Sequence, residues 1–137
     1  MAYEVPGLAH TFRASTGLQQ YQAVNISGAN NRLLDPTTEG NCIGILCSSG
    51  TTGSTGRAGS TDSGSVQTVQ LSGIAKVIAG STTIDAGDLL KASTDGLAST
   101  ASSTSYRFGI ALGAVASTST SAQVISVLLS PSYGNFA

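Results

Sequence analysis

Apolar positions along this chain recur with a period of two more often than with the 3.6-residue period of a helix. Residues 23–27, Ala-Val-Asn-Ile-Ser, read as a short strand followed by a turn at 28–31. Residues 32–36 then lead to 42–47, whose continuous apolar run predicts a strand buried on both faces. Beyond residue 65 the strand signals become regular, at 66–71, 74–79, 89–92, 97–100, 106–115 and 123–129. Asp95-Gly96 separates 89–92 from 97–100 and predicts a two-residue hairpin connection, because both positions tolerate positive φ. From 106 to 115, Tyr106, Phe108, Ile110, Leu112 and Ala114 alternate with Arg107, Gly109, Ala111, Gly113 and Val115. That pattern predicts a half-buried strand with its aromatics toward the core and its small residues outside. Pro131 is expected to end the last strand. Short strands at this spacing predict an all-β fold, a small antiparallel β-barrel or sandwich.

Two stretches stand outside this pattern. Residues 1–22 hold Pro6, Gly7 and Gly17 with no sustained period, and read as an extended N-terminal arm leading into a single β domain at 23–137. Twenty extended residues reach about 60 Å, beyond the body of a small domain, so an ordered arm is expected to need a partner. Residues 48–65 are Ser, Thr and Gly apart from Arg57, Ala58 and Asp62, a loop long enough to be expected to serve function or motion. Gly59 and Gly64 share the glycine offset of a phosphate-binding loop, but Ser65 stands where lysine is required.

Composition narrows the class further. Ser, Thr and Gly make up 54 of 137 residues, while 40% of the chain is apolar and the formal net charge is −1, a balance that predicts packing rather than disorder. Six cations, Arg13, Arg32, Arg57, Lys76, Lys91 and Arg107, are spread along the sequence without forming a basic stripe, so no nucleic-acid partner is expected. No run approaches the roughly 18 apolar residues that span a bilayer, so no membrane partner is expected. The start lacks the basic and apolar regions of a signal peptide, which predicts synthesis and retention in a cytoplasm and makes the Asn25-Ile26-Ser27 sequon accidental. Cys42 and Cys47 lie about 16 Å apart along a strand, too far for an internal disulfide. They read as free thiols packed like small apolar groups, with an inter-subunit disulfide as the alternative.

Candidate chemistry is sparse. His10 is the only imidazole, with Glu4 six residues away as its nearest carboxylate in sequence, and no Gly-x-Ser-x-Gly elbow is present. Asp85 and Asp88 flank Ala86-Gly87, where aspartate is expected as a turn former. No catalytic residues, cofactor or metal ligands are expected, and the chain does not read as an enzyme.

Three segments keep one order: Val69-Gln-Leu-Ser-Gly73 leading to Ile74-Ala-Lys76; Ile84-Asp-Ala-Gly-Asp-Leu-Leu90 with Asp95-Gly96-Leu97; and Phe108-Gly-Ile-Ala-Leu112 followed by Val124-Ile-Ser-Val-Leu128. Together they resemble the capsid cement, or head decoration, proteins of tailed bacteriophages over about half the chain. The 48–65 loop and the long arm depart from that pattern. The resemblance implies a structural virion protein, made in the host cytoplasm and carried on the outer capsid surface. It further implies a homotrimer that binds major capsid protein and clamps neighbouring subunits. Tyr3, Val5, Leu8 and Phe12 are the arm's candidate capsid-binding residues. The alternative is a surface-displayed adhesin or glycan-binding module on the virion, working through the 48–65 loop.

Overall fold

The computed structural model describes residues 4–14, 18–26, 33–36, 42–47, 66–80, 83–93, 96–102, 106–116 and 123–132. These residues form an all-β fold of eleven strands: β1 (Val5–Pro6), β2 (Ala9–Ala14), β3 (Ala23–Ile26), β4 (Leu33–Pro36), β5 (Gly44–Leu46), β6 (Val66–Gln70), β7 (Gly73–Ile78), β8 (Leu89–Ala92), β9 (Ala98–Thr100), β10 (Arg107–Ala111) and β11 (Val124–Ser132). Six strands make an antiparallel sheet in the order β1-β7-β11-β10-β8-β9, and the other five close on themselves in the order β2-β4-β3-β5-β6. Only β2 and β4 run parallel within that closed sheet, with Arg13 opposite Leu33. Its remaining pairs, β2 with β6 included, are antiparallel.

The two sheets share one core. Ala23, Cys42 and Ile45 of the closed sheet and its approach belong to the same buried cluster as Ala75, Val77, Leu90, Phe108, Ala111, Ile125 and Val127 of the six-stranded sheet. A smaller cluster of Leu18, Val24, Leu46 and Val69 fills the closed sheet, with Phe12, Ile43 and Leu71 packed on it. All three residues of β5 are buried, as the apolar run at 42–47 predicts. Tyr21 joins the sheets through its backbone: its N–H donates to Leu46 O (2.7 Å) and its carbonyl accepts from Ile78 N–H (3.0 Å). It does so at φ 68°, an uncommon conformation for a residue with a side chain.

The sequence expectations are corrected in four places. Residues 5–14 are extended, but they are paired within the chain rather than standing apart from the domain: β1 lies on β7, and β2 lies between β6 and β4. Unpaired backbone groups are costly once removed from water, and these sheets provide partners for them. Secondly, β8 and β9 form the expected hairpin, but Ala92 pairs with Ala98, so the connection spans 93–97 rather than two residues. Thirdly, the faces of 106–115 differ from the expected pattern: Ala111 and Val115 are buried while Leu112 and Tyr106 are exposed. The β10–β11 register shifts between Arg107 and Gly109, so Phe108 and Gly109 are both buried and the period of two breaks. Lastly, β11 continues through Pro131 to Ser132, because the same irregularity accommodates a residue that has no N–H to donate.

Candidate functional site

The arm residues proposed from sequence separate into different environments. Tyr3 lies outside the described residues. Val5 and Leu8 present 55% and 65% of their surface to solvent. Phe12 instead packs against the smaller core and meets His10 edge-on, with ring centroids 4.9 Å apart.

Val5 and Leu8 are held in place by a stitched crossing where β6 turns into β7. Gln70, fully buried, points its amide nitrogen at the carbonyls of Val5 (3.3 Å), Ser72 (2.9 Å) and Ile74 (3.0 Å). Leu8 N–H donates to Ser72 Oγ (2.7 Å), and Leu8 O accepts from Leu71 N–H (2.7 Å). The crossing requires glycine at residue 73: its φ is +89°, and a Cβ there would stand 2.5 Å from Val5 O. Two apolar side chains are therefore displayed by a fixed main-chain junction.

Val5 is directly opposite Ile74, which in turn faces Leu128; both partners are aliphatic. Two residues further along β7, Lys76 lies on the same side of the strand, its Nζ 5.7 Å from the centre of the Tyr21 ring.

Comparisons with known proteins bear on this architecture. No protein-family model matches the chain, and no curated protein sequence matches it. The fold is similar to a phage protein. It superposes on the crystal structure of the head fiber gp8.5 N base in bacteriophage phi29 with a TM-score of 0.64 and 20% identity, covering 90% of this chain and 93% of that one. The similarity of fold thus extends over most of both chains.

The other candidate groups have structural roles. Asp88 Oδ2 accepts from Asp85 N–H (2.8 Å) and Asp88 N–H donates to Asp85 O (3.1 Å), closing the turn in which Gly87 sits at φ +96°. Among the described residues no group of three or more His, Cys, Asp or Glu side chains could hold a metal ion. Cys42 and Cys47 are both free thiols, their Sγ–H groups donating to Gly44 O (3.2 Å) and Thr68 O (3.3 Å).

Burial pushes the Cys47 thiol above its ordinary value of 9.0; a backbone hydrogen bond partly opposes the shift, and Glu4 adds to it. The unfolded thiol therefore ionises near pH 9 while the folded one keeps its proton. This contribution to stability is full below pH 9 and declines as pH rises through the folded value. In urea titrations between pH 8 and pH 11, Cys47→Ser is expected to show a shallower loss of stability than the wild-type chain.

Proposed function

We propose that this chain is a structural component of a bacteriophage head: a capsid cement protein on the outer surface that binds major capsid protein and clamps neighbouring subunits, most simply as a homotrimer. The observation that carries the reading is the fold shared with a phage head fiber base across nine-tenths of both chains, in agreement with the ordered motifs at 69–76, 84–97 and 108–128. The role is mechanical rather than enzymatic and uses no cofactor. A protein that binds only the assembled shell stabilises that state by mass action, by about 2.7 kcal/mol per site at a free concentration one hundred times Kd. Val5 and Leu8 serve as contact residues in this reading. Phe12 supports them from inside by packing on the smaller core.

The test is co-sedimentation with purified heads of the phage whose genome carries the coding sequence. The wild-type chain is expected to pellet with the heads and to raise their disruption temperature. The double variant Val5→Asp, Leu8→Asp, altered at two exposed positions, should pellet several-fold less while melting like the wild type. Removal of residues 2–20 would be a poor test, because it takes away β2 and the buried Leu18. A wild-type chain that stays in the supernatant at every concentration would sink the reading.

A further inference from the structure

The segment that carries Val5 and Leu8 has little side-chain burial of its own. Glu4, Val5, Gly7 and Leu8 are all exposed, and among the described side chains apolar packing on a core begins only at Phe12. The bonds that hold residues 5–8 are polar and fall on a short stretch of the β6–β7 connection. Gly7 N–H donates to Ser72 O (3.2 Å) and Leu8 N–H to Ser72 Oγ (2.7 Å), while Leu8 O accepts from Leu71 N–H (2.7 Å) and Ser72 N–H (3.3 Å). β1 adds two paired positions on β7. A segment with few buried apolar contacts opens at lower free energy than the core, so 5–8 is expected to open while the domain stays folded.

Gln70 ties this segment to a rigid part of the fold. Its backbone is flanked by paired strands on both sides, opposite Ile45 of β5 and Ala9 of β2, so its side chain leaves a fixed point of the closed sheet. The residue is 2% exposed, and its amide nitrogen reaches Val5 O in β1, Ser72 O in the connection and Ile74 O in β7. Two N–H hydrogens are thus shared among three main-chain carbonyls, one from each piece of the crossing. An apolar side chain of similar size would fill the space and take that donor away. Removing one partner of a buried polar group costs more than a hydrogen bond ordinarily contributes, so the loss falls directly on the attachment of β1.

We infer that Gln70 is a positioning residue for the contact with the shell: without touching the partner, its amide sets the fraction of time that 5–8 lies closed on β7 with Val5 and Leu8 presented. Only the closed fraction is competent to bind, so apparent affinity falls in proportion to it. The inference rests on the function proposed above. Amide hydrogen exchange of the full-length chain alone, followed by co-sedimentation with heads, tests it in two separable steps. In the wild type the Gly7 and Leu8 amides should exchange faster than those of Ile43 and Val115, which donate to Val24 O (3.0 Å) and Ile84 O (2.8 Å). Gln70→Leu should speed Gly7 and Leu8 by about a further tenfold or more, leave Ile43 and Val115 unchanged, and lower pelleting several-fold. Gln70→Glu keeps the shape, but its carboxyl donates only when protonated. Its excess exchange at Gly7 and Leu8, measured against the wild type at the same pH, should therefore appear as pH rises and vanish on acidification. Equal acceleration at all four amides in both variants would overturn the role and make Gln70 a support of the core. Exchange at Gly7 and Leu8 as slow as in the wild type would overturn it as well. Selective acceleration with undiminished pelleting would overturn the positioning role and leave the function standing. A wild type that never pellets would remove the function, and the role with it.

Discussion

Phe108→Ala is expected to lose about 3–5 kcal/mol of folding free energy, the range for deleting a buried aromatic side chain. Phe108 is buried in the larger core beside the irregular step between β10 and β11. No other aromatic residue belongs to that cluster, and small neighbours such as Ala75, Ala92 and Ala111 have no spare length with which to fill the cavity. Since a domain of this kind holds roughly 5–15 kcal/mol in all, the variant should be partly unfolded at 37 °C. Ile110→Thr, only two residues away, should cost about 0.5–1 kcal/mol, because Ile110 is half-buried on the other face. Urea midpoints with unchanged slopes measure the contrast. Equal losses at the two positions would mean that 106–115 keeps one uninterrupted alternation after all.

The second large effect is expected at Gly96. Its φ of +70° would strain any residue with a Cβ, and that Cβ would stand 2.3 Å from Ala23 O and 2.6 Å from Gln22 Cγ. A main-chain oxygen has no alternative rotamer, so the β8–β9 hairpin would have to lift away from the start of β3. Strain of roughly 1–2 kcal/mol and overpacking of roughly 1–3 kcal/mol together put Gly96→Ala near 3 kcal/mol. Gly87 provides the comparison: its φ is +96°, but a Cβ there meets nothing within 4 Å. Gly87→Ala should therefore cost the strain alone, about 1 kcal/mol. The difference between the two alanine variants, read from thermal or urea unfolding, isolates the contact between the hairpin and the closed sheet. If the two melt together, that contact contributes nothing.

These positions show what could be read from sequence and why reading stopped. Period-two runs and turn residues located 66–71, 74–79, 89–92 and 123–129 to within a few residues, because alternation and turn chemistry are local. The Asp95-Gly96 signal identified a hairpin, but the contact of Gly96 with Ala23 joins residues some seventy positions apart. The faces of 106–115 were misassigned because one register shift changes which side chains point inward, and nothing in the pattern of β10 alone marks it. The pairing of residues 5–14 is not legible locally, because their partners in β6 and β7 lie far downstream. Of the residues named for binding, Val5 and Leu8 are at the surface and Phe12 is not freely so.

The pairing of β2 also shapes how the chain reaches its fold. His10 finds its partner Val69 some sixty residues later, and Val5 waits still longer for Ile74. As the polypeptide leaves the ribosome, these strands have no antiparallel partner until β6 and β7 have been made, and each closure must overcome the entropy of a long loop. Such non-local contacts put the chain among slow folders, with the closed sheet sealed late rather than growing outward from its N-terminal strand.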